Sequence, residues 1–268
     1  MGHFTKVKPG EKVRLDKIDP DFHEGLSKRD AVVQERTDAA REEMSVLQER
    51  LYAECGQSLL VVLQALDTGG KDGTIKHVMR GLNPAGVCVR GFKAPTSEEL
   101  AHDFLWRVHP YVPAKGHITV FNRSHYEDVL VVRVHELVPE EIWRRRYDQI
   151  NEFEELLAET GTHILKIYLH ISKYEQKERL QARLDNPDKH WKFSAADLKE
   201  RALWDDYTEA FEEALTRCST KRAPWHIIPA NRKWYRNMIV AELVAATLRK
   251  MDPQFPEPDF DPAEIVID

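Results

Sequence analysis

The stretch Leu59–Thr74, LLVVLQALDTGGKDGT, decides how the rest of this chain is read. Its first part, Leu59 to Leu63, is an unbroken apolar run of the kind that fills a strand buried on both faces. Asp67 comes next, then Gly69-Gly70-Lys71-Asp72-Gly73-Thr74. Ile75, Val78 and Met79 follow at spacings that suit one face of a helix. A strand, a glycine loop with one lysine and a helix start together predict a phosphate cradle. The glycines let the backbone approach an anion closely. The helix N-terminus offers unpaired N–H groups and a partial positive charge, and Lys71 adds a full charge. Gly69, Gly70, Lys71, Asp72, Gly73 and Thr74 are therefore the predicted phosphate-binding residues.

The loop departs from the usual GxxxxGK[ST] pattern, which asks for Gly where Ala65 or Leu66 stands and Ser or Thr after the lysine. Asp72 follows Lys71 instead. The hydroxyl that such loops place on magnesium is missing, and Asp67, at the strand's end, is the predicted metal ligand in its stead.

Around this stretch, 268 residues with 42% hydrophobic and 31% charged content describe a soluble globular protein. No apolar run approaches a membrane span, and MGHFTKVKPGEKVRLDK at the start lacks a signal-peptide core. Cys55, Cys88 and Cys218 form no CxxC and suggest no zinc site, which points to a reducing cytoplasm. No HExxH or GxSxG occurs. The net charge is −6, but the last 17 residues hold six acids and no Lys or Arg. The body without them carries 39 basic and 39 acidic residues, which argues against a DNA-coating protein.

The organisation reads as an N-terminal arm (1–27), one α/β domain (28–251) and an acidic tail (252–268) in which Phe260, Ile265 and Val266 are anchoring candidates. A helix is expected from about Lys28 to Glu54, with Ala40, Met44, Leu47 and Leu51 along one face. Further strands are expected at Val87–Phe92, His117–Phe121, His163–Leu169 and Trp225–Pro229. Between them lie a helix opened by the capping box Thr96–Glu99 and running to about His109, and a long helix from Pro139 to Thr160. After Ser172 comes a further capped helix, then one carrying Trp204, Tyr207, Phe211 and Leu215, and a last one from about Arg232 to Met251. Alternating strands and helices predict a five-stranded parallel sheet with helices on both faces. Ligands in such sheets sit beyond the strands' carboxyl ends. There the sequence puts Asp67–Thr74, Asn122-Arg123, His170–Lys173 and Ala230–Lys233.

Arg123 suits bidentate phosphate contact. The run from Lys177 to Lys192 has five Lys/Arg against three acids, where a nucleotide kinase carries a mobile lid; the lid is expected over about 177–200. From Ser219 to Asn237 five Lys/Arg and no acid interleave with Trp225, Trp234 and Tyr235, a pattern open to phosphate or single-stranded nucleic acid.

Four blocks together resemble the polyphosphate kinase 2 family. They are Ala65–Thr74, Phe121–Asp128 (FNRSHYED), Arg183–Phe193 (RLDNPDKHWKF) and Ala223–Asn237 (APWHIIPANRKWYRN). The resemblance implies a three-layer P-loop kinase-like fold, similar to thymidylate kinase, with a helical lid. It implies reversible transfer of the terminal phosphate of inorganic polyphosphate to AMP or ADP. Magnesium, or manganese in its place, adenine or guanine nucleotides and a homo-oligomer, dimer or tetramer, are implied as well. By this resemblance Asp67 binds the metal, and Lys71 and Arg123 hold the transferring phosphates. Arg183 and Lys192 close from the lid, Lys76 and Arg236 line the polyphosphate path, and Glu127 and Asp128 serve the nucleotide. Many members carry Asp where Asn122 stands; Asn followed by HYED is similar to the branch that uses both AMP and ADP. Two other readings share some of these features: an ATP-dependent nucleoside monophosphate kinase, and a non-catalytic polyanion- or RNA-binding protein.

Overall fold

Every residue of Ser58–Gln64 is buried, as a strand covered on both faces requires. The structure, a computed structural model, describes residues 4–267. The ends of the expected arm and tail, residues 1–3 and Asp268, lie outside the described residues.

In chain order the elements are β1 (Thr5–Lys6), α1 (Ala31–Glu54), β2 (Ser58–Gln64), α2 (Lys71–Val78) and β3 (Val87–Gly91). Next come α3 (Ser97–Leu100), β4 (Ile118–Asn122), α4 (Val131–Val134), α5 (Glu140–Glu159) and β5 (Thr162–His170). The chain continues with α6 (Lys173–Leu184), α7 (Ala195–Ala202), α8 (Trp204–Arg217), β6 (Trp225–Pro229) and α9 (Lys233–Met251). The sheet order is β1-β6-β5-β2-β4-β3. The five strands read from the sequence are mutually parallel.

The sheet has a sixth strand, in the segment that the sequence reads as an arm. β1 pairs antiparallel with β6, Thr5 opposite Ile227. Past it, Val7 N donates to Trp225 O at 2.9 Å and Ser219 Oγ donates to Val7 O at 2.8 Å. Val7, Val13 and Leu15 are buried, so this arm is packed rather than free.

The period-two geometry of β2 divides its side chains between two cores. Leu60 and Val62 pack with Tyr147, Ile150 and Phe211 of α5 and α8. Leu59, Val61 and Leu63 pack with Met44, Leu51, Ile239 and Val244 of α1 and α9. Each such side chain, fully buried, contributes roughly 1.5–3 kcal/mol. Helix–sheet–helix layering follows directly from this division.

Two expectations are corrected. The capping box at Thr96–Glu99 is formed, with Glu99 N donating to Thr96 Oγ1 at 3.2 Å and Thr96 N to Glu99 Oε2 at 2.8 Å. The helix it opens nevertheless ends at Leu100, because Asp103 Oδ1 accepts from Leu105 N and Trp106 N and turns the chain. The tail's Phe260, Ile265 and Val266 are more than half exposed and do not anchor on this chain.

Candidate active site

The end of β2 leads into a loop held from beneath. Gln176 Nε2 donates to Asp67 O at 3.0 Å, Arg179 Nη1 to Thr68 O at 2.9 Å and Arg236 Nη1 to Gly69 O at 3.4 Å. Three successive carbonyls are thus engaged by buried side chains of α6 and α9. Thr68 sits at φ +61° and Gly70 at φ +104°. A Cβ on Gly70 would lie 1.9 Å from Arg236 Nη1, so only glycine lets that guanidinium under the loop. Gly70 is the residue capping α2 and offers no side-chain cap. The first N–H groups of α2 are left for an anion.

Lys71 is buried and points back along the strand end, donating to Ala65 O at 2.8 Å. Burial, helped by the nearby Arg123 charge, lowers its ammonium to about pKa 8. Thr74 Oγ1 donates to Gly70 O at 3.1 Å and closes the first turn. Asp72 accepts from Asn122 Nδ2 at 2.7 Å. The Asn122 amide supplies the hydrogen that Asp72 accepts, which a carboxylate at 122 could do only with a proton or a cation between the two.

Arg123 takes up φ +64°, a strained position for a side-chain-bearing residue. From it the guanidinium donates to Asp67 Oδ1 at 2.5 Å and Glu127 Oε2 at 3.3 Å. The sheet register explains the meeting: Leu63 of β2 lies opposite Asn122 of β4, so both loops leave the sheet at one level.

Beyond Arg123 opens a cavity of about 460 Å³, lined by Asp67, Arg123, Glu127 and Asp128 at one side and by apolar residues including Leu130, Val138 and Trp204. Asp128 accepts from Arg146 Nη1 at 2.9 Å, yet burial outweighs that partner and raises its carboxyl to about pKa 6. Ala196, Asp197 and Glu200 of α7 close the other wall. Glu200 Oε2 accepts from Tyr207 OH at 2.6 Å, which fastens α7 to α8. Across the loop, Lys192 Nζ lies 4.0 Å from Asp72 Oδ2, and Arg183 Nη1 lies 3.2 Å from Asp197 Oδ2.

The structure therefore brings Asp67, Lys71, Asp72, Asn122, Arg123 and Glu127 together, with Lys192 reaching in. Lys76 is exposed on α2. Arg236, expected along an open path, is instead 2% exposed beneath the loop, and burial lowers its guanidinium to about pKa 9. The segment expected as lid from 177 starts inside α6, whose Gln176, Arg179 and Leu180 are buried; the cavity wall is α7. Arg179 and Gln176 do not stand out in the sequence as loop supports. Their spacing with Leu180, three and four residues, is that of a buried helical stripe and is the available signal. Thr68 carries no such signal; its Oγ1 is buried with no hydrogen-bond partner among the described residues.

A parallel sheet with a glycine–lysine loop at its central strand and helices over the adjoining cavity defines the class of P-loop-like kinases. The sequence profile of the polyphosphate kinase 2 family matches residues 26–256. The AMP/ADP-polyphosphate phosphotransferase of Meiothermus ruber is 51% identical over 263 residues, 98% of each chain. The ADP-polyphosphate phosphotransferase of Rhodopseudomonas palustris is 44% identical over 268 residues, covering 94% of this chain and 91% of its own. The crystal structure of polyphosphate kinase 2 from Arthrobacter aurescens superimposes with a TM-score of 0.91 at 46% identity, covering 96% of this chain and 92% of the other. The chain belongs to the polyphosphate kinase 2 family.

Proposed function

We propose that this enzyme moves the terminal phosphoryl group of inorganic polyphosphate onto AMP and ADP, reversibly, at the junction of Asp67, Lys71 and Arg123. The observation that carries this reading is the position of that junction. It stands between an anion-accepting helix start and a separate, largely apolar cavity suited to a nucleoside. Polyphosphate approaches over the Gly69–Thr74 loop, with Lys76, Arg183 and Lys192 as further cations and Arg236 acting from beneath. The nucleotide fills the cavity, with Glu127 and Asp128 on its wall. Adenine nucleotides are the first choice, and guanine nucleotides the second.

In the reaction a phosphate oxygen of AMP or ADP bonds to the terminal phosphorus of polyphosphate. The bridging P–O bond breaks and the shortened chain leaves as an oxyanion. No strong general base is required, because a nucleotide phosphate with a second pKa of about 6 is already ionised at neutral pH. Catalysis is then positioning and neutralisation of charge by Lys71 and Arg123.

Magnesium fits the donors at hand. Asp67, Asp72 and Asn122 offer hard oxygens, and the orphaned Thr68 hydroxyl adds another. Asp67 is the main ligand in this reading, and manganese suits the same oxygen set. When bound, the metal neutralises phosphate oxygens. The part of the 177–200 segment beyond α6, through α7, acts as lid, within a single domain of 28–251 that the arm joins through β1 and the tail follows. A cytoplasmic homo-oligomer, dimer or tetramer, completes the proposal; Ile142 and Leu156 are large apolar side chains left exposed for such contacts.

³¹P NMR of AMP incubated first with polyphosphate and then with ATP tests the donor. The β-phosphate resonance of ADP is expected with polyphosphate. Its appearance with ATP alone would make the enzyme a nucleoside monophosphate kinase. Salt-sensitive polyanion binding without turnover would make it a binding protein.

A further inference from the structure

β5 carries a lysine where its face calls for an apolar residue. Ile164 and Tyr168 flank Lys166 on the side packed against α5 and α8, and Lys166 is fully buried. Its Nζ donates to Glu154 Oε2 of α5 at 2.5 Å, to Tyr126 OH at 2.9 Å and to Cys218 O. Glu154, 1% exposed, also accepts from Tyr126 OH at 2.8 Å and has His125 Nε2 at 3.3 Å. The rings of Tyr126 and Trp225 lie 5.4 and 5.3 Å from the ammonium.

A buried ion pair is weak evidence of stability, since two apolar side chains of similar volume would serve a core at least as well. What the pair does here is grip a particular turn. His125 and Tyr126 begin the 3₁₀ turn His125–Asp128, directly after Arg123 and Ser124. Ser124 Oγ accepts from Gln64 Nε2 and Tyr126 N, each at 3.2 Å, and Arg123 N donates to Leu63 O at 3.2 Å. Arg123 therefore takes its left-handed backbone between two fixed points, β2 on one side and the Glu154–Lys166 pair on the other. Strain of that kind persists only where the surroundings over-determine it.

We propose that Lys166 and Glu154 are positioning residues of the transfer reaction: their ion pair fixes the Ser124–Asp128 turn and so holds Arg123 and Glu127 in register with Asp67. This rests on reading Arg123 as a phosphate clamp. Neither residue touches substrate, so both act through the turn.

The test compares Lys166→Met/Glu154→Gln, Tyr126→Phe and Arg123→Ala with the parent enzyme. The double substitution removes the charge pair and leaves a neutral amide at position 154 to meet the Tyr126 hydroxyl. We expect kcat to fall between about tenfold and a hundredfold, as sub-ångström to ångström misplacement of a clamp does. KM for polyphosphate and the melting temperature stay near the parent values. A merely structural role gives the reverse, a lower melting temperature with unchanged kcat per folded molecule, and overturns the proposal. Tyr126→Phe keeps the ring and loses only the bridging hydroxyl. Should the double variant fail to fold, an unchanged kcat in Tyr126→Phe overturns the proposal and a lowered one supports it. Full activity in Arg123→Ala refutes the clamp reading itself; loss there beside a fully active double variant refutes only the positioning role.

Discussion

The two faces of the sheet are built from the same strands to different ends. Against α1 and α9 the core is built mainly of apolar side chains, from Met44 and Leu51 to Ile239 and Val244, with Gln48 of α1 and Arg236 of α9 among its few buried polar members. On the face toward α5 and α8 an ion pair, a histidine and a tyrosine hydroxyl lie among the apolar residues, and the cavity opens beside them. The first face seals; the second aims side chains. A sealing face tolerates any well-packed apolar set. An aiming face needs directional bonds, because a hydrogen bond fixes an angle and an apolar contact does not.

Substitutions should therefore separate stability from turnover. The largest effect is expected at the site itself: Lys71→Ala should lower kcat by at least about a hundredfold, the usual loss for one transition-state donor. Initial rates at saturating polyphosphate measure it, and near-parental turnover would remove Lys71 from the reaction. On the sealing face, Met44→Ala should cost about 2–5 kcal/mol of stability in denaturant melts. Its kcat per folded molecule should not move; if it does, the faces are not independent. Gly70→Ala stands between the two. Its methyl meets Arg236 at 1.9 Å and its φ of +104° is strained, so Arg236 must shift. A stability loss of about 1–3 kcal/mol is expected, together with a drop in kcat of about tenfold from the displaced loop.

The smallest and most graded effect is with pH. Lys71 has a folded pKa of about 8 against an ordinary 10.5. Between these values the unfolded chain holds a proton that the folded one has lost, so this residue's contribution to stability rises with pH. Its charge on phosphate is lost over the same window. kcat/KM for polyphosphate should decline on the alkaline side with a midpoint near 8, and Lys71→Arg should abolish that limb. A limb unchanged in that variant assigns it to another group.

Much of this was legible in the chain. The strand run before Asp67, the glycine loop and Asn122-Arg123 after a strand all announce themselves, because each is a local pattern with a fixed period or spacing. The capping box at Thr96 was legible too, but Asp103 stops the helix after a single turn by a competing local bond. β1 was not visible, since a two-residue strand has no period of its own and exists only by pairing with β6. In the sequence Arg179 reads as one cation of the expected lid and Arg236 as lining the polyphosphate path. Only packing shows that both are buried and bonded to loop carbonyls.

By itself, the sequence determined the five parallel strands in chain order, the loop that meets phosphate and the family that carries it, since all of these reside in short contiguous patterns. The tertiary structure decided which cations support the loop, which carboxylates face the cavity, and that Lys166 and Glu154 grip the turn beyond Arg123. Those partners are separated by up to 167 residues, as for Gly69 and Arg236. No local periodicity records a bond between them, and it is the sheet register that brings them within reach.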